Sequence, residues 1–513
     1  MMKTANVYLV GAGPGDPGLI TVRGKQCIEN SDVIIYDYLA SPTLLNYTHT
    51  NAELIYVGKK GGDHTLSQDK INALIVEKAK AGFTVCRLKG GDPFIFGRGG
   101  EEAEILASKS IPFEIVPGVT SAIAAAAYAG IPLTHRKLTA TLAFITGHED
   151  PHKKESSIDW ESLARGIGTL VFFMGVKNLP DITQKLIANG RSPETPVALI
   201  RWGTTPSQTT VTGTLDSIAE QAKKFDLKPP AIIVVGEVVQ LRDTLKWFEK
   251  RPLLGRRIVV TRARQQASDL VRRLSDLGAE CLEVPTIEVM PADDLNPLED
   301  AVQNLSIYDW IIFTSVNGVK FFFDHLFGTD KDIRALSHLK TAAIGPATAA
   351  KLLDYGLKSD ILPKKYRAEA VVEAFRKISL AGKKILLPRA AEARPVLPLE
   401  LRKMGADVDE VSAYRTKKVN GDTDQLIHRL EEKTIDIVTF TSSSTVQNFK
   451  ALLPPDRFKQ LIKGATIASI GPITTGTAIE SGFKVAITAK SYTIPGLCDA
   501  IVKFYHNKKV SDL

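Results

Sequence analysis

The chain has 513 residues, 44% of them hydrophobic and 24% charged, and carries a formal net charge of +8. Its length predicts two to four domains at roughly 100–200 residues each, and no apolar run approaches the roughly 20 residues of a membrane span. With no dense Lys/Arg block and no recognisable nucleic-acid module, the charge is left to solubility or a small polyanionic ligand.

Cys27, Cys86, Cys281 and Cys498 are scattered without a C-x-x-C pair, which indicates a reducing compartment and no structural zinc. The N-terminus lacks the apolar region of a signal peptide, so the expected location is cytoplasmic. His64 and His148 lack ligand-like spacing, and no metal is expected.

In chain order, an apolar run from Val7 to Val10 stops at Gly11-Ala12-Gly13-Pro14-Gly15-Asp16-Pro17-Gly18, and a helical pattern follows. A strand ending in such a turn places a ligand above the carboxyl ends of a parallel sheet. Gly13 to Gly18 satisfies G-x-G-x-x-G, and Asp37 ends a second run, Val33 to Tyr36, as in a dinucleotide fingerprint. Against a diphosphate stand Pro14 and Pro17, which lack the N–H it needs, and the negative charge of Asp16. NAD and a phosphate-free ligand such as S-adenosylmethionine both remain open on these residues.

A strand from Thr84 to Leu88 enters Lys89-Gly90-Gly91-Asp92-Pro93, and Ile115-Val116 enters Pro117-Gly118. The small-residue helix Ser121 to Ala129 packs closely against either the core or a ligand. A second set of runs comprises Thr141 to Thr146, Thr169 to Met174, Pro196 to Ile200 and Ala231 to Val235. This alternation predicts an α/β architecture with largely parallel sheets, in two domains around a cleft. The loops Gly11 to Gly18, Gly90 to Phe94, Pro117 to Ser121 and Met174-Gly175 gather at one rim. At such a rim Asp37 is a base, a ribose ligand or a helix cap. Lys59 is a proton donor, a carboxylate ligand or a plain surface lysine.

Beyond a linker at Lys246 to Leu254 the chain repeats itself. Gly255-Arg256-Arg257-Ile258 matches Gly382-Lys383-Lys384-Ile385, and the Asp309 to Ser315 segment matches Asp436 to Ser442, both 127 residues apart. Ile344-Gly345-Pro346 matches Ile470-Gly471-Pro472 at a spacing of 126. Two similar lobes enclose a ligand naturally. Tyr414 ends a hydrophobic strand, where it either packs with its hydroxyl bonded or directs that hydroxyl at a leaving group.

The segments VGAGPGDPGLIT, VIIYD, VGKKGG, LKGGDPFIFGRGGEE, VPGVTSAIAAAAYAGIPLTHR and FFMG together resemble uroporphyrinogen-III C-methyltransferase over roughly residues 3 to 245. The duplicated half resembles uroporphyrinogen-III synthase through TSVNG, IGPATA, SAYRT and TFTSSST. The resemblance implies a methyltransferase at 1–245 (subdomains about 1–118 and 119–245), a linker at 246–254, a synthase at 255–505 and a tail at 506–513. It implies two flavodoxin-like synthase lobes, about 255–288 plus 418–505 and 290–413, joined by a two-stranded linker.

The resemblance also implies S-adenosylmethionine as methyl donor, lined by Pro14, Gly90, Gly91, Asp92, Ile95, Thr120, Ser121, Met174 and Gly203. Asp37 becomes the proton acceptor, Lys59 the proton donor, and Tyr414 the aid to hydroxyl loss in the synthase. Substrate carboxylates would meet Thr314, Ser315, Thr441 and Ser442, with Arg262 or Arg389 nearby. The implied reactions cyclise hydroxymethylbilane to uroporphyrinogen III and methylate it twice to precorrin-2, towards sirohaem or cobalamin.

The expected partners are tetrapyrrole small molecules, with no nucleic acid or membrane, and a homodimer through the first half. The segments before Val7 and after Val502 are too short for the dehydrogenase–chelatase module of some relatives, so precorrin-2 is expected to leave unoxidised. The alternatives are a same-fold methyltransferase acting on RNA or a protein side chain, and a second half that binds without reacting. GGDPFIFGRGGEE and PLTHR favour the tetrapyrrole branch.

Overall fold

The first five strands are β1 (Val7–Gly11), β2 (Val33–Tyr36), β3 (Glu53–Tyr56), β4 (Val85–Lys89) and β5 (Phe113–Val116). They form one sheet in the order β3-β2-β4-β1-β5, every pair parallel. Their Val/Ile/Leu runs suit a sheet covered on both faces, and Val7, Leu9, Ile34, Ile35 and Leu88 are wholly buried. The edge strand β3 starts with Glu53 and carries the apolar residues Leu54, Ile55 and Tyr56, of which Leu54 is half-exposed.

A second sheet contains β6 (Leu142–Thr146), β7 (Thr169–Phe173), β8 (Pro196–Arg201), β9 (Thr209–Thr214) and β10 (Ala231–Val235), ordered β6-β7-β10-β8-β9. The expectation of largely parallel sheets fails here. Only β6 and β7 are parallel; β10 runs against β7 and β8, and β8 runs against β9. The short β8–β9 connection forces that reversal, since a parallel neighbour needs a long crossover. The threonine-rich β9 was silent as an apolar signal.

Ten further strands follow: β11 (Arg257–Val260), β12 (Glu280–Glu283), β13 (Ile287–Pro291), β14 (Trp310–Phe313), β15 (Lys340–Ala343), β16 (Lys384–Ala390), β17 (Asp407–Lys418), β18 (Ile437–Phe440), β19 (Thr466–Ser469) and β20 (Val485–Thr488). They build two sheets, β12-β11-β18-β19-β20 and β13-β17-β16-β14-β15. The first has the flavodoxin-like order 2-1-3-4-5 in its own numbering.

The sequence repeat relates β11 to β16 and β14 to β18, yet β11 pairs with β18 and β16 with β14. Each sheet therefore combines strands of both copies. The same contact seals both joins: Asp436 accepts the N–H of Arg257, and Asp309 that of Lys384, each at 2.8 Å. At the edge of the second of these sheets, β13 runs antiparallel to the end of β17, from Ile287 opposite Lys418 to Pro291 opposite Tyr414.

The computed structural model describes residues 6–58, 66–148, 157–261, 264–284, 287–364, 367–393, 395–418 and 423–511. The chain divides into two units, Met1–Arg256 with Leu274–Glu280 and Tyr505–Leu513, and Arg257–Arg273 with Cys281–Phe504. Among the described residues no helix is long and apolar enough to cross a membrane.

Candidate active sites

In the first unit, the loops after β1, β4 and β5 meet. Gly13 and Gly91 exchange backbone hydrogen bonds, at 2.7 Å from the Gly91 N–H and 3.2 Å from the Gly13 N–H. A Cβ on Gly118 would lie 2.3 Å from the Gly91 oxygen, and one on Gly11 2.5 Å from the Gly118 Cα. Only glycine allows backbones this close. Asp92 clamps the junction, its Oδ2 accepting the Gly118 N–H at 3.0 Å and its Oδ1 the Phe94 N–H at 2.8 Å.

Asp16 ties the first turn to the second sheet. Its N–H donates to Thr204 Oγ1 at 3.0 Å, and the Tyr128 hydroxyl donates to its Oδ2 at 2.7 Å. Its Oδ1 caps the short 3-10 turn Pro17–Leu19 through the Gly18 N–H at 2.8 Å. The carboxylate is a brace within the turn, a use the sequence reading missed.

Backbone strain concentrates at the same rim. Of eight non-glycine residues with left-handed φ among the described residues, five (Phe96, Arg98, Met174, Trp202 and Thr204) follow β4, β7 or β8. Such strain clusters at ligand sites. Met174 is 54% exposed and Ile95 38%, while the Phe96 ring meets Phe173 of the second sheet at 5.0 Å. Thr120 and Ser121 open the helix Ser121–Tyr128, whose Ala125 packs so tightly on Gly203 that a Cβ there would be 2.3 Å away. All nine residues expected to line the cofactor thus lie on the strand-end loops and the helix they lead into. Glycine-rich loops edged by a thioether and phenyl rings offer the close backbone approach and soft contacts that suit an adenosine and a sulfonium.

Asp37 follows β2 on the first sheet. Its Oδ1 accepts the Leu39 N–H at 3.0 Å and its Oδ2 accepts from Arg87 Nη2 at 3.0 Å. Arg87 also donates to the carbonyls of Ile35 and Leu88 and, through Nε, to Glu102 Oε1 at 3.3 Å. Lys89 reaches the same Glu102 oxygen at 2.8 Å. Arg87, Lys89 and Glu102 are all nearly inaccessible. Burial, with the neighbouring Arg87 charge, pushes the Lys89 ammonium below its ordinary range.

Asp37 is thus held from behind by a buried ion network that the sequence reading missed. The available signal was two cations, Arg87 and Lys89, spaced for one face of an otherwise apolar central strand. Lys59 lies outside the described residues, as does Arg262.

In the second unit, Tyr414 is 8% exposed and stacks on Phe321 at 5.7 Å. Its hydroxyl lies 2.9 Å from Ser315 Oγ, and burial raises the phenol above its ordinary range despite that hydrogen bond. Ser315 caps the helix Val316–Phe327 through the Gly318 N–H, and Ser442 caps Ser443–Leu452 in a capping box with Thr445. Both serine oxygens are therefore committed as helix caps. Thr314 and Thr441 directly follow β14 and β18 beside them, partly exposed. Arg389 is 7% exposed and its Nη1 is paired with Glu410 at 3.2 Å.

Two family models match the chain, Tetrapyrrole (Corrin/Porphyrin) Methylases over residues 6–219 and Uroporphyrinogen-III synthase HemD over residues 268–499. The porphyrin biosynthesis protein HemD of Ruminiclostridium josui is 38% identical over 98% of both chains. A uroporphyrinogen-III C-methyltransferase of Bacillus subtilis is 46% identical over 67% of this chain and 70% of its own. That of Priestia megaterium is 55% identical over 45% of this chain and 98% of its own. With one relative matching end to end and the two family models occupying successive halves, this chain belongs to the porphyrin-biosynthesis family that joins a tetrapyrrole methylase to a uroporphyrinogen-III synthase.

Proposed function

We propose that the second half cyclises hydroxymethylbilane to uroporphyrinogen III, and that the first half methylates this product twice with S-adenosylmethionine to give precorrin-2. The observation that carries the methylation is the strained, glycine-walled rim with Asp37 fixed at its edge. The methyl donor supplies an already activated sulfonium methyl, so the protein's work is alignment and proton management. Pro14, Gly90, Gly91, Ile95, Thr120, Ser121, Met174 and Gly203 would hold the donor, with Asp92 clamping the loops around it. Asp37 takes the proton lost after an electron-rich pyrrole carbon is methylated, and Lys59 donates one.

In the second half, Thr314, Thr441 and the N–H groups at the strand ends take substrate carboxylates. Tyr414 acts through Ser315, since its hydroxyl is buried and already bonded. We further propose a homodimer formed through the first half. A reducing compartment such as the cytoplasm suits four cysteines that form no disulfide.

Incubating hydroxymethylbilane, S-adenosylmethionine and this protein alone tests the reading. A dimethylated product absorbing like precorrin-2 is expected, and its absence overturns the coupled function. Without the methyl donor the III isomer should accumulate; the spontaneous I isomer would make the second half a binding module.

A further inference from the structure

Arg87 and Arg201 are used in opposite ways. Arg87 is buried and spends its guanidinium on Asp37, Glu102 and two carbonyls. Arg201 ends β8, is partly exposed, and makes no side-chain hydrogen bond or ion pair among the described residues. Its Nε is inaccessible and has no acceptor. A guanidinium is always charged, and a buried donor without a partner is costly, so a partner arriving with a ligand would relieve that cost.

Its surroundings narrow the ligand. The next residue, Trp202, has a left-handed backbone with φ 49° and meets the half-exposed ring of Tyr38 edge to face at 5.7 Å. Tyr38 directly follows Asp37. Burial raises the Tyr38 phenol, while the Arg201 charge opposes that rise, so the guanidinium lies within electrostatic reach of the Tyr38 hydroxyl. The cation and two aromatic rings thus stand at the edge that carries Asp37. A planar fork pairs best with a carboxylate, and the adjoining rings suit a pyrrole. The amino-acid carboxylate of the methyl donor offers the same chemistry without the aromatic neighbour.

We infer that Arg201, flanked by Tyr38 and Trp202, binds a peripheral carboxylate of the tetrapyrrole and so sets its orientation over Asp37. This inference rests on the methyltransferase reading of the first half.

The test uses the full chain, with Arg201→Met and Arg201→Lys, and with cyclisation by the second half as an internal check of integrity. Initial rates with supplied uroporphyrinogen III and with S-adenosylmethionine are measured separately, at low and high salt. Quenching of protein fluorescence by uroporphyrin III reports binding without turnover. For Arg201→Met, KM for uroporphyrinogen III should rise about tenfold to a hundredfold, as expected for a lost charge-assisted hydrogen bond. KM for the methyl donor should stay unchanged, and salt should matter less. Arg201→Lys should fall between the two, and it carries the test if the methionine variant does not fold.

An unchanged KM and salt response in both variants overturns the inference while leaving the methyltransferase reading intact. A rise confined to the methyl donor's KM, or a fall in kcat alone, overturns it equally. Failure of the wild-type chain to methylate uroporphyrinogen III, with uroporphyrin III still bound, overturns the underlying reading instead.

Discussion

The Tyr414 hydroxyl and the Ser315 Oγ lie 2.9 Å apart, and the same serine oxygen accepts the Gly318 N–H at 2.9 Å. A tyrosine on β17 thereby fixes the start of a helix that follows β14. Tyr414→Phe should slow cyclisation, destabilise the second half by about 1 kcal/mol, and leave methylation of supplied uroporphyrinogen III unchanged. If Tyr414 works through Ser315, Ser315→Ala added to Tyr414→Phe should slow cyclisation by less than the two single effects combined. Fully additive effects would give Tyr414 an independent role.

Asp37→Asn should do the reverse. Loss of a general base lowers methylation by about a hundredfold to ten-thousandfold, while formation of the III isomer continues at the wild-type rate. Loss of both activities in a folded chain would sink the division of labour between the halves.

Glu102 pairs with Lys89 and shares Arg87 with Asp37 in a space almost closed to water. Glu102→Leu should cost about 3–5 kcal/mol, the usual penalty for leaving a buried charge uncompensated. Urea unfolding followed by methyltransferase activity reads this directly; a loss under 1 kcal/mol would mean the network is solvated.

Gly118→Ala places a methyl 2.3 Å from the Gly91 carbonyl oxygen. Overpacking of this kind costs about 1–3 kcal/mol, and relief requires the loops to part. Calorimetric titration with S-adenosylhomocysteine should show binding lost or much weakened, with cyclisation kept.

Burial pushes the Cys27 and Cys498 thiols up to about 11 from an ordinary 9.0, and it raises Cys86 further. Their pKa is higher folded than unfolded. Their contribution to stability is therefore complete below pH 9 and falls as pH rises towards 11. The midpoint of thermal unfolding should drop over that window, less so in Cys27→Ala. At neutral pH a thiol reagent should label Cys281, the one cysteine that is not buried, well before the other three.

The apolar runs of β1, β2, β4 and β5 and the glycine turns between them are short-range features, and each was legible in the sequence. Edge strand β9 was not, because a half-solvated strand needs no apolar run. Asp37 was legible as a carboxylate at a strand end. Its partner Arg87 belongs to a different strand and becomes its neighbour only through the parallel pairing of β2 with β4.

The glycines, the missing N–H groups of Pro14 and Pro17, and the repeat spacing are properties of the chain itself, and they determined the kind of turn and the duplication. Three things waited for the tertiary structure. Asp16 became a brace on Tyr128, Arg389 paired with Glu410, and the strands of the two repeats were exchanged between sheets. Each depends on a contact between residues far apart in the chain. Local propensity is blind to such contacts, because burial and hydrogen bonding across sheets decide them.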